Sequence, residues 1–204
     1  MSRPAGRKEI RPAGACGASD IAGLCQVYLL AAGQGRRAGG PKAWRDCAGQ
    51  PLLQRQLEFL RGVLPASDIA VSIQADWLER CRALEPRAVW AVSDPEAAAL
   101  ASVQALARAL PLQRWTFLCH VDMRVWEPEV FGLLAQRAAS SEDVEAWAPI
   151  EGGRRGHPVL LSPRLQDGLL ALDPGRDRLD FWLRSRRVVD IPVPYPCIHD
   201  NWNS

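Results

Sequence analysis

Leu29-Leu30-Ala31-Ala32-Gly33-Gln34-Gly35-Arg36-Arg37-Ala38-Gly39-Gly40-Pro41-Lys42 is the stretch in which an apolar run stops at a glycine-rich loop that carries arginines and ends in a lysine. Glycine lets the backbone turn tightly and present consecutive N–H groups to an anion. Arg36 and Lys42 add fixed positive charge at the same place. Lysine is otherwise almost unused in this chain, Lys8 being the other one, so a lysine at the end of this loop calls for a reason. A loop of this composition suits a polyphosphate.

Outward from that loop, strand-like and helix-like segments alternate. Residues 24–31 read as a buried strand, and Leu53, Leu57, Leu60 and Leu64 give residues 52–64 helical spacing. Strands are predicted at 69–73, 88–92 and 115–121, and helices at 76–84, 96–110 (opened by Pro95) and 128–138. Later strands are predicted at 145–150, 158–161 and 188–193, with helices at 164–172 and 178–186. This alternation defines an α/β fold: a three-layer, doubly wound, mainly parallel sheet covered on both faces. Ligands of such sheets bind at the carboxyl ends of the strands. The glycine loop follows the first long strand and Asp122 follows the strand at 115–121, so both are expected on one rim.

At 204 residues the chain is long enough for one domain with a substantial core. Residues 1–23 begin with a Gly-, Ala-, Pro- and Arg-rich stretch and are expected to form a flexible extension, with the folded domain spanning 24–204. A net charge of +2 is too small to argue for nucleic acid or an anionic membrane, and no apolar run approaches the roughly 18 residues of a membrane span. Six scattered cysteines with no C-x-x-C pair argue against zinc and for reduced thiols, consistent with a cytoplasmic protein.

Four constellations carry chemistry. The glycine loop is neither a P-loop nor a dinucleotide fingerprint: no Lys-Ser or Lys-Thr opens a helix, and the loop is long and cationic. Asp122, at the tip of a buried strand, is placed to hold magnesium, which takes one or two carboxylates and completes its shell with phosphate oxygens. Gly152-Gly153-Arg154-Arg155-Gly156-His157-Pro158 suits a second anion or a polar heterocycle, or else a solvated basic hairpin. His199-Asp200-Asn201-Trp202-Asn203-Ser204 follows the last strand and can reach the same rim. The three histidines have no metal-ligand spacing, and Trp44 and Trp202 lie near enough to the motifs to flank a flat ligand.

Together these pieces resemble the molybdenum-cofactor nucleotidyltransferase family, within the wider glycosyltransferase-like nucleotidyltransferases. Leu30–Gly39 followed by Lys42 is similar to the family opening, and Gly49-Gln50-Pro51-Leu52-Leu53 to its Gly-x-Pro-Leu-Leu. Asp122-Met123 is similar to its Asp-Met-Pro metal motif, Arg155-Gly156-His157-Pro158 to the Arg-Gly-His-Pro of the cytidylyl branch, and Asn201-Trp202-Asn203-Ser204 to its late Asn/Asp motif. Ala32, where the guanylyl branch carries glycine, favours CTP. The chain departs from the family pattern at Arg124, where proline is usual, in lacking a glycine before Ser102, and in stopping at Ser204.

The resemblance implies a Rossmann-like, glycosyltransferase-A-like fold and a magnesium-dependent transfer of CMP from CTP (Mn2+ being an alternative ion) to a phosphorylated acceptor such as molybdopterin, with release of pyrophosphate. It implies nucleotide binding by Leu30, Ala31, Ala32, Gly33, Gly35 and Ser102, catalytic roles for Arg36, Lys42 and Asp122, and metal contacts from Asp122, Asn201 and Asn203. Arg155, Gly156 and His157 would face the acceptor, and a molybdenum hydroxylase is the implied client. The alternatives are a guanylyl or sugar-phosphate nucleotidyltransferase, or a carrier that binds the finished cofactor without catalysis.

Overall fold

The computed structural model describes residues 18–35, 39–139 and 143–202. In chain order its strands are β1 (Cys25–Leu30), β2 (Asp46–Cys47), β3 (Gln50–Pro51), β4 (Ile69–Ile73), β5 (Val89–Val92), β6 (Trp115–His120), β7 (Ala146–Glu151), β8 (Arg154–Arg155), β9 (Val159–Leu161) and β10 (Val188–Pro192). The α-helices are α1 (Ala18–Leu24), α2 (Leu52–Val63), α3 (Leu78–Leu84), α4 (Ala99–Ala109), α5 (Pro128–Ala138), α6 (Gln166–Leu170) and α7 (Leu179–Arg184).

One sheet runs β10-β7-β9-β6-β1-β4-β5, with β8 paired to β7, while β2 and β3 form a small separate ribbon. β6, β1, β4 and β5 are mutually parallel, and β9 runs antiparallel between β6 and β7. β1 and β4 are buried at every position. This is the pattern of strands covered on both faces, and it explains their near-continuous apolar sequence. Side chains alternate across the sheet: Val27, Leu29 and Phe117 join one core with Leu53 and Phe131, whereas Tyr28, Leu30 and Leu118 join the other with Leu100, Val103 and Leu169. Those two cores make the expected three layers.

The helices obey local rules. α5 has Pro128 in its first turn, where a missing N–H costs nothing, with Glu129 at its amino end and Arg137 at its carboxyl end to complement the helix dipole. α2 buries Leu53, Gln56, Leu57 and Leu60 along one stripe.

Two expectations need correction. Residues 18–24 form α1, and Ile21 within it is buried in the core, so packed structure begins inside the segment read as a flexible extension; residues 1–17 lie outside the described residues. The helix expected from Glu96 begins at Ala99, because Asp94 first closes a turn by accepting the Glu96 N–H on its Oδ1 at 2.8 Å. Among the described residues no helix is long and apolar enough to cross a membrane.

The site follows from the strand order. The chain leaves β1 for β4 and β5 on one side and returns to β6 on the other. The carboxyl ends of β1 and β6 therefore flank the switch point where such sheets hold ligands.

Candidate active site

The register pairs Leu30 of β1 with His120 of β6, so the loop after β1 and Asp122 emerge side by side. Between them lies a cavity of about 290 Å3, lined by Leu30, Ala32, Gly33, Gly35, Lys42 and Asp122 together with Ser102, His120 and the segment after β5. Gly35 has φ +61°, and its O accepts from the Gly40 N–H at 3.2 Å, so this contact brackets residues 36–38. A Cβ on Gly35 would sit 1.9 Å from the Gly40 oxygen, which makes glycine a requirement here.

Lys42 opens a short 3-10 turn over Lys42–Trp44, and its Nζ lies 2.6 Å from Asp122 Oδ2. Both side chains are about one-fifth exposed, so the pair sits at the cavity wall with access to ligand. The loop is tied down from behind: the Ala31 N–H donates to the Ser72 carbonyl at 3.1 Å, and Gln74 Nε2 donates to the Ala32 carbonyl at 2.9 Å. Ala31 is thus committed to β4 and does not line the cavity, whereas Leu30, Ala32, Gly33 and Gly35 do. Ser102 also faces it, with its hydroxyl 2.7 Å from that of Ser93. Arg36 and Asn203 lie outside the described residues.

Residues 200–202 fold back onto the Asp122 segment. The Trp202 N–H donates to the Asp122 carbonyl at 2.7 Å, the Arg124 N–H donates to the Asp200 carbonyl at 3.2 Å, and Asn201 bridges to Met123. The Arg124 guanidinium lies 4.7 Å from the centre of the Trp202 ring. Trp44 packs edge-on to Trp77 at 5.5 Å with Arg80 stacked at 3.7 Å, so both tryptophan rings expected near a ligand are covered by guanidinium groups.

Arg155, Gly156 and His157 line a second cavity of about 590 Å3, which shares Ala99 and His120 with the first. Gly152 and Gly153, both at positive φ, turn the β7–β8 hairpin, and Arg154 and Arg155 are exposed on it, so the outer half of this motif is the solvated hairpin. Gly156 packs under the carboxyl-terminal segment, where a Cβ would meet Ile198 at 2.5 Å. His157 turns inward and its ring meets that of His120, 4.9 Å centre to centre. Burial is the first cause that pushes His157 down to about 4, helped by the neighbouring His120, and burial likewise lowers His120. Both rings are neutral at pH 7.

The sequence reading missed His120, Asp94, Pro95, Ala97 and Ala99 as cavity residues. A signal existed for the loop: Ser93-Asp94-Pro95 follows a parallel strand directly, on the same rim as Asp122. Among the described residues no group of three or more His, Cys, Asp or Glu side chains could cage a metal.

A doubly wound sheet with a glycine loop and a Lys–Asp pair at the switch point defines the nucleotidyltransferase class. The MobA-like NTP transferase domain matches residues 27–190, and the chain belongs to that family of nucleotidyltransferases. Rv0371c from Mycobacterium tuberculosis H37Rv, also solved as a manganese complex, superposes with a TM-score of 0.68 at 21% identity over 88% of this chain and 94% of its own. Molybdopterin-guanine dinucleotide biosynthesis protein A from Archaeoglobus fulgidus gives 0.63 at 20% identity, covering 82% and 83%. The 4-diphosphocytidyl-2C-methyl-D-erythritol synthase from Anaerococcus prevotii gives 0.63 at 13% identity, covering 90% and 93%. No curated protein sequence matches the chain.

Proposed function

We propose that the protein transfers CMP from CTP to the terminal phosphate of molybdopterin, with magnesium as the cofactor and manganese as a substitute. The observation that carries this reading is the Lys42–Asp122 pair, 2.6 Å apart on the wall of a cavity that the glycine loop also lines. The donor set fits a hard divalent ion. One protein carboxylate is enough when triphosphate oxygens and water supply the other ligands, and Asn201, an exposed residue whose backbone pairs with Met123, would be the further oxygen donor. When bound, the ion offsets charge on the phosphate oxygens.

The residues of this chain divide the remaining work. Backbone N–H groups from Ala32 to Gly35 hold the triphosphate. Lys42, with Arg36 beside the same loop, neutralises the leaving pyrophosphate. A phosphate oxygen of the acceptor forms the new bond to the α-phosphorus as the bond to pyrophosphate breaks. An ionised phosphate needs no general base to deprotonate it before attack. The protein's contribution is positioning and charge neutralisation. Ala32, whose methyl group sits in the loop, supports CTP over GTP, and a similarly folded protein from Anaerococcus prevotii named as a 4-diphosphocytidyl-2C-methyl-D-erythritol synthase supports the same reading. A molybdenum hydroxylase in the cytoplasm is the proposed recipient of the product.

The test is pyrophosphate release by purified protein given molybdopterin and, in turn, CTP, GTP, UTP and ATP with magnesium. CTP is expected to support turnover best. Preference for GTP, or for a sugar phosphate in place of molybdopterin, overturns the substrate assignment. Tight binding of nucleotide and cofactor with no pyrophosphate identifies a carrier instead.

A further inference from the structure

The buried stripe of α2 is apolar except at Gln56, which is 4% exposed, while Leu53, Leu57 and Leu60 beside it join the core. A carboxamide buried in such a stripe weakens the fold unless its hydrogen bonds are made. Here they are made, and none goes to the helix itself. Nε2 donates to the Val121 carbonyl at 3.1 Å and to the Met123 carbonyl at 2.6 Å, and Oε1 accepts from Trp126 Nε1 at 2.9 Å. Both amide protons therefore go to the two carbonyls that flank Asp122. The first residue of the same helix faces the other partner: the Leu52 N–H donates to the Arg45 carbonyl at 2.9 Å, and the Arg45 N–H donates to the Lys42 carbonyl at 3.2 Å. One end of α2 is thus tied to the turn that presents Lys42, and the next turn of the helix is tied to the segment that presents Asp122.

We infer that Gln56 is a positioning residue, which aims the Asp122 carboxylate at Lys42 and the loop after β1 by gripping the main chain on both sides of it. The inference deepens the nucleotidyl-transfer reading above, on which it rests for the role of Asp122. The rest of the segment is held as well: the Val121 N–H donates to the Leu30 carbonyl at 3.0 Å, and the Met123 N–H donates to the His120 carbonyl at 3.1 Å. Those two bonds come from β1 and from the segment's own turn, so the grip of Gln56 is the one that fixes Asp122 relative to α2 and, through Leu52 and Arg45, relative to Lys42. A working site holds its groups within about 0.5 Å of the productive geometry, and neighbouring hydrogen bonds do the holding. An apolar residue at position 56 would complete the stripe equally well, but it would leave the Val121 and Met123 carbonyls without this partner. The glutamine therefore serves the segment after β6 rather than the helix that carries it, and it lies outside every motif quoted from the sequence.

The experiment is calorimetric titration of the full chain with CTP, alone and with manganese, joined to amide hydrogen exchange of the protein free of both. The parent protein is compared with Gln56→Met, which keeps the length of the side chain without its donors, with Gln56→Asn, which keeps the amide but shortens its reach, and with Trp126→Phe. In the parent protein manganese is expected to tighten CTP about ten-fold or more. Each Gln56 variant is expected to lose most of that gain while binding CTP alone within about two-fold of the parent protein, because the glycine loop is untouched. Each is also expected to speed exchange of the Trp202 amide, which donates to the Asp122 carbonyl, by about ten-fold. Trp126→Phe removes only the bond to Oε1 and is expected to change every reading by less than about three-fold. Full retention of the manganese gain in a folded Gln56 variant overturns the inference, as does an unchanged Trp202 exchange rate. Equal loss of binding with and without manganese, or failure of both Gln56 variants to fold, also overturns it and leaves Gln56 a residue of the core alone. Should only Gln56→Met fail to fold, Gln56→Asn decides. A parent protein that binds no CTP, or whose affinity manganese leaves unchanged, overturns the nucleotidyl-transfer reading instead, while the Trp202 exchange rate still reports whether Gln56 holds the Asp122 segment.

Discussion

The Lys42 ammonium stands 2.6 Å from the Asp122 carboxylate across the junction between the loop after β1 and the end of β6. Eighty residues of sequence separate them, and the parallel pairing of the two strands brings them together. Each charge holds the other in place, and under the proposed function phosphates and a divalent ion would compete for them. Because the pair is partly solvated, its loss is expected to change folding stability by less than about 1 kcal/mol. If the pair acts as proposed, its loss is expected to weigh far more on catalysis: removing one electrostatic contact to a transition state costs on the order of 3 kcal/mol, or ~100-fold in rate. Lys42→Met and Asp122→Asn are therefore expected to melt within a few degrees of the parent protein yet to turn over at least ~100-fold more slowly. A magnesium titration of the rate separates the roles, since only Asp122→Asn should raise the metal concentration required. An unchanged rate and metal requirement in Asp122→Asn removes Asp122 from the metal site.

Gly35 and Gly33 line the same cavity but answer to different constraints. Gly35 adopts φ +61° and leaves no room for a Cβ beside the Gly40 carbonyl, whereas Gly33 has open space around it. Gly35→Ala is expected to destabilise the fold by at least about 1–2 kcal/mol from the left-handed backbone alone and to lower nucleotide affinity ten-fold or more. Gly33→Ala is expected to leave the melting temperature unchanged. Thermal melts with and without CTP check both, and equal behaviour of the two variants contradicts the loop geometry.

How much of this was legible in the sequence depended on the kind of signal. β4 and α5 fall where their patterns predict, at Ile69–Ile73 and Pro128–Ala138, because an apolar run ending at a polar residue and a proline at a helix start are local signals. Strand order was also within reach, since alternating elements leave few topologies open. The start of α4 was misread because Asp94-Pro95 serves equally as a helix opening and as a turn, and the side chain of Asp94 decides for the turn. The contact between His120 and His157 had no local signal at all. It depends on the antiparallel pairing of Leu118 with Val159, which sets the residues beyond each strand end face to face. α7 read as a helix, yet nothing in its spacing showed that Leu179, Leu183 and Arg184 would wall a cavity.

The buried histidines make stability depend on pH. His157 is pushed down to about 4 by burial first and by His120 second, while Asp122 and a hydrogen bond involving the Leu118 backbone oppose the shift and His199 adds to it. The unfolded chain takes up a proton near pH 6.5 that the folded chain refuses until about pH 4. More protons are bound by the unfolded state in that window, so stability is complete above pH 6.5 and falls as the pH drops toward 4. The full loss from this residue is at most about 3 kcal/mol, reduced by the partial solvent access of the ring. His120 shifts in the same direction and adds to the loss. The urea midpoint of the parent protein is expected to be lower at pH 5 than at pH 7, and the drop is expected to be smaller in His157→Gln. Equal pH sensitivity in the variant rules out His157 as a source.

Arg124 is the residue at which this chain departs from the Asp-Met-Pro pattern, and the structure gives it two partners that proline could not replace. Its N–H donates to the Asp200 carbonyl at 3.2 Å, and its guanidinium lies over the Trp202 ring. Trp202 in turn donates its N–H to the Asp122 carbonyl at 2.7 Å, so Arg124 fastens the carboxyl-terminal segment to the loop that carries Asp122. An exposed cation–π contact contributes about 0.5–1 kcal/mol, and the backbone hydrogen bond a further ~1 kcal/mol. Arg124→Ala removes only the first and is expected to lower the melting temperature by about 2–4 °C. Arg124→Pro removes both and is expected to lower it about twice as far. Trp202→Phe keeps a ring for the guanidinium and is expected to restore most of what Trp202→Ala loses. Differential scanning calorimetry of the four variants checks this order; Arg124→Pro melting with or above the parent protein means that the tail is held by other contacts.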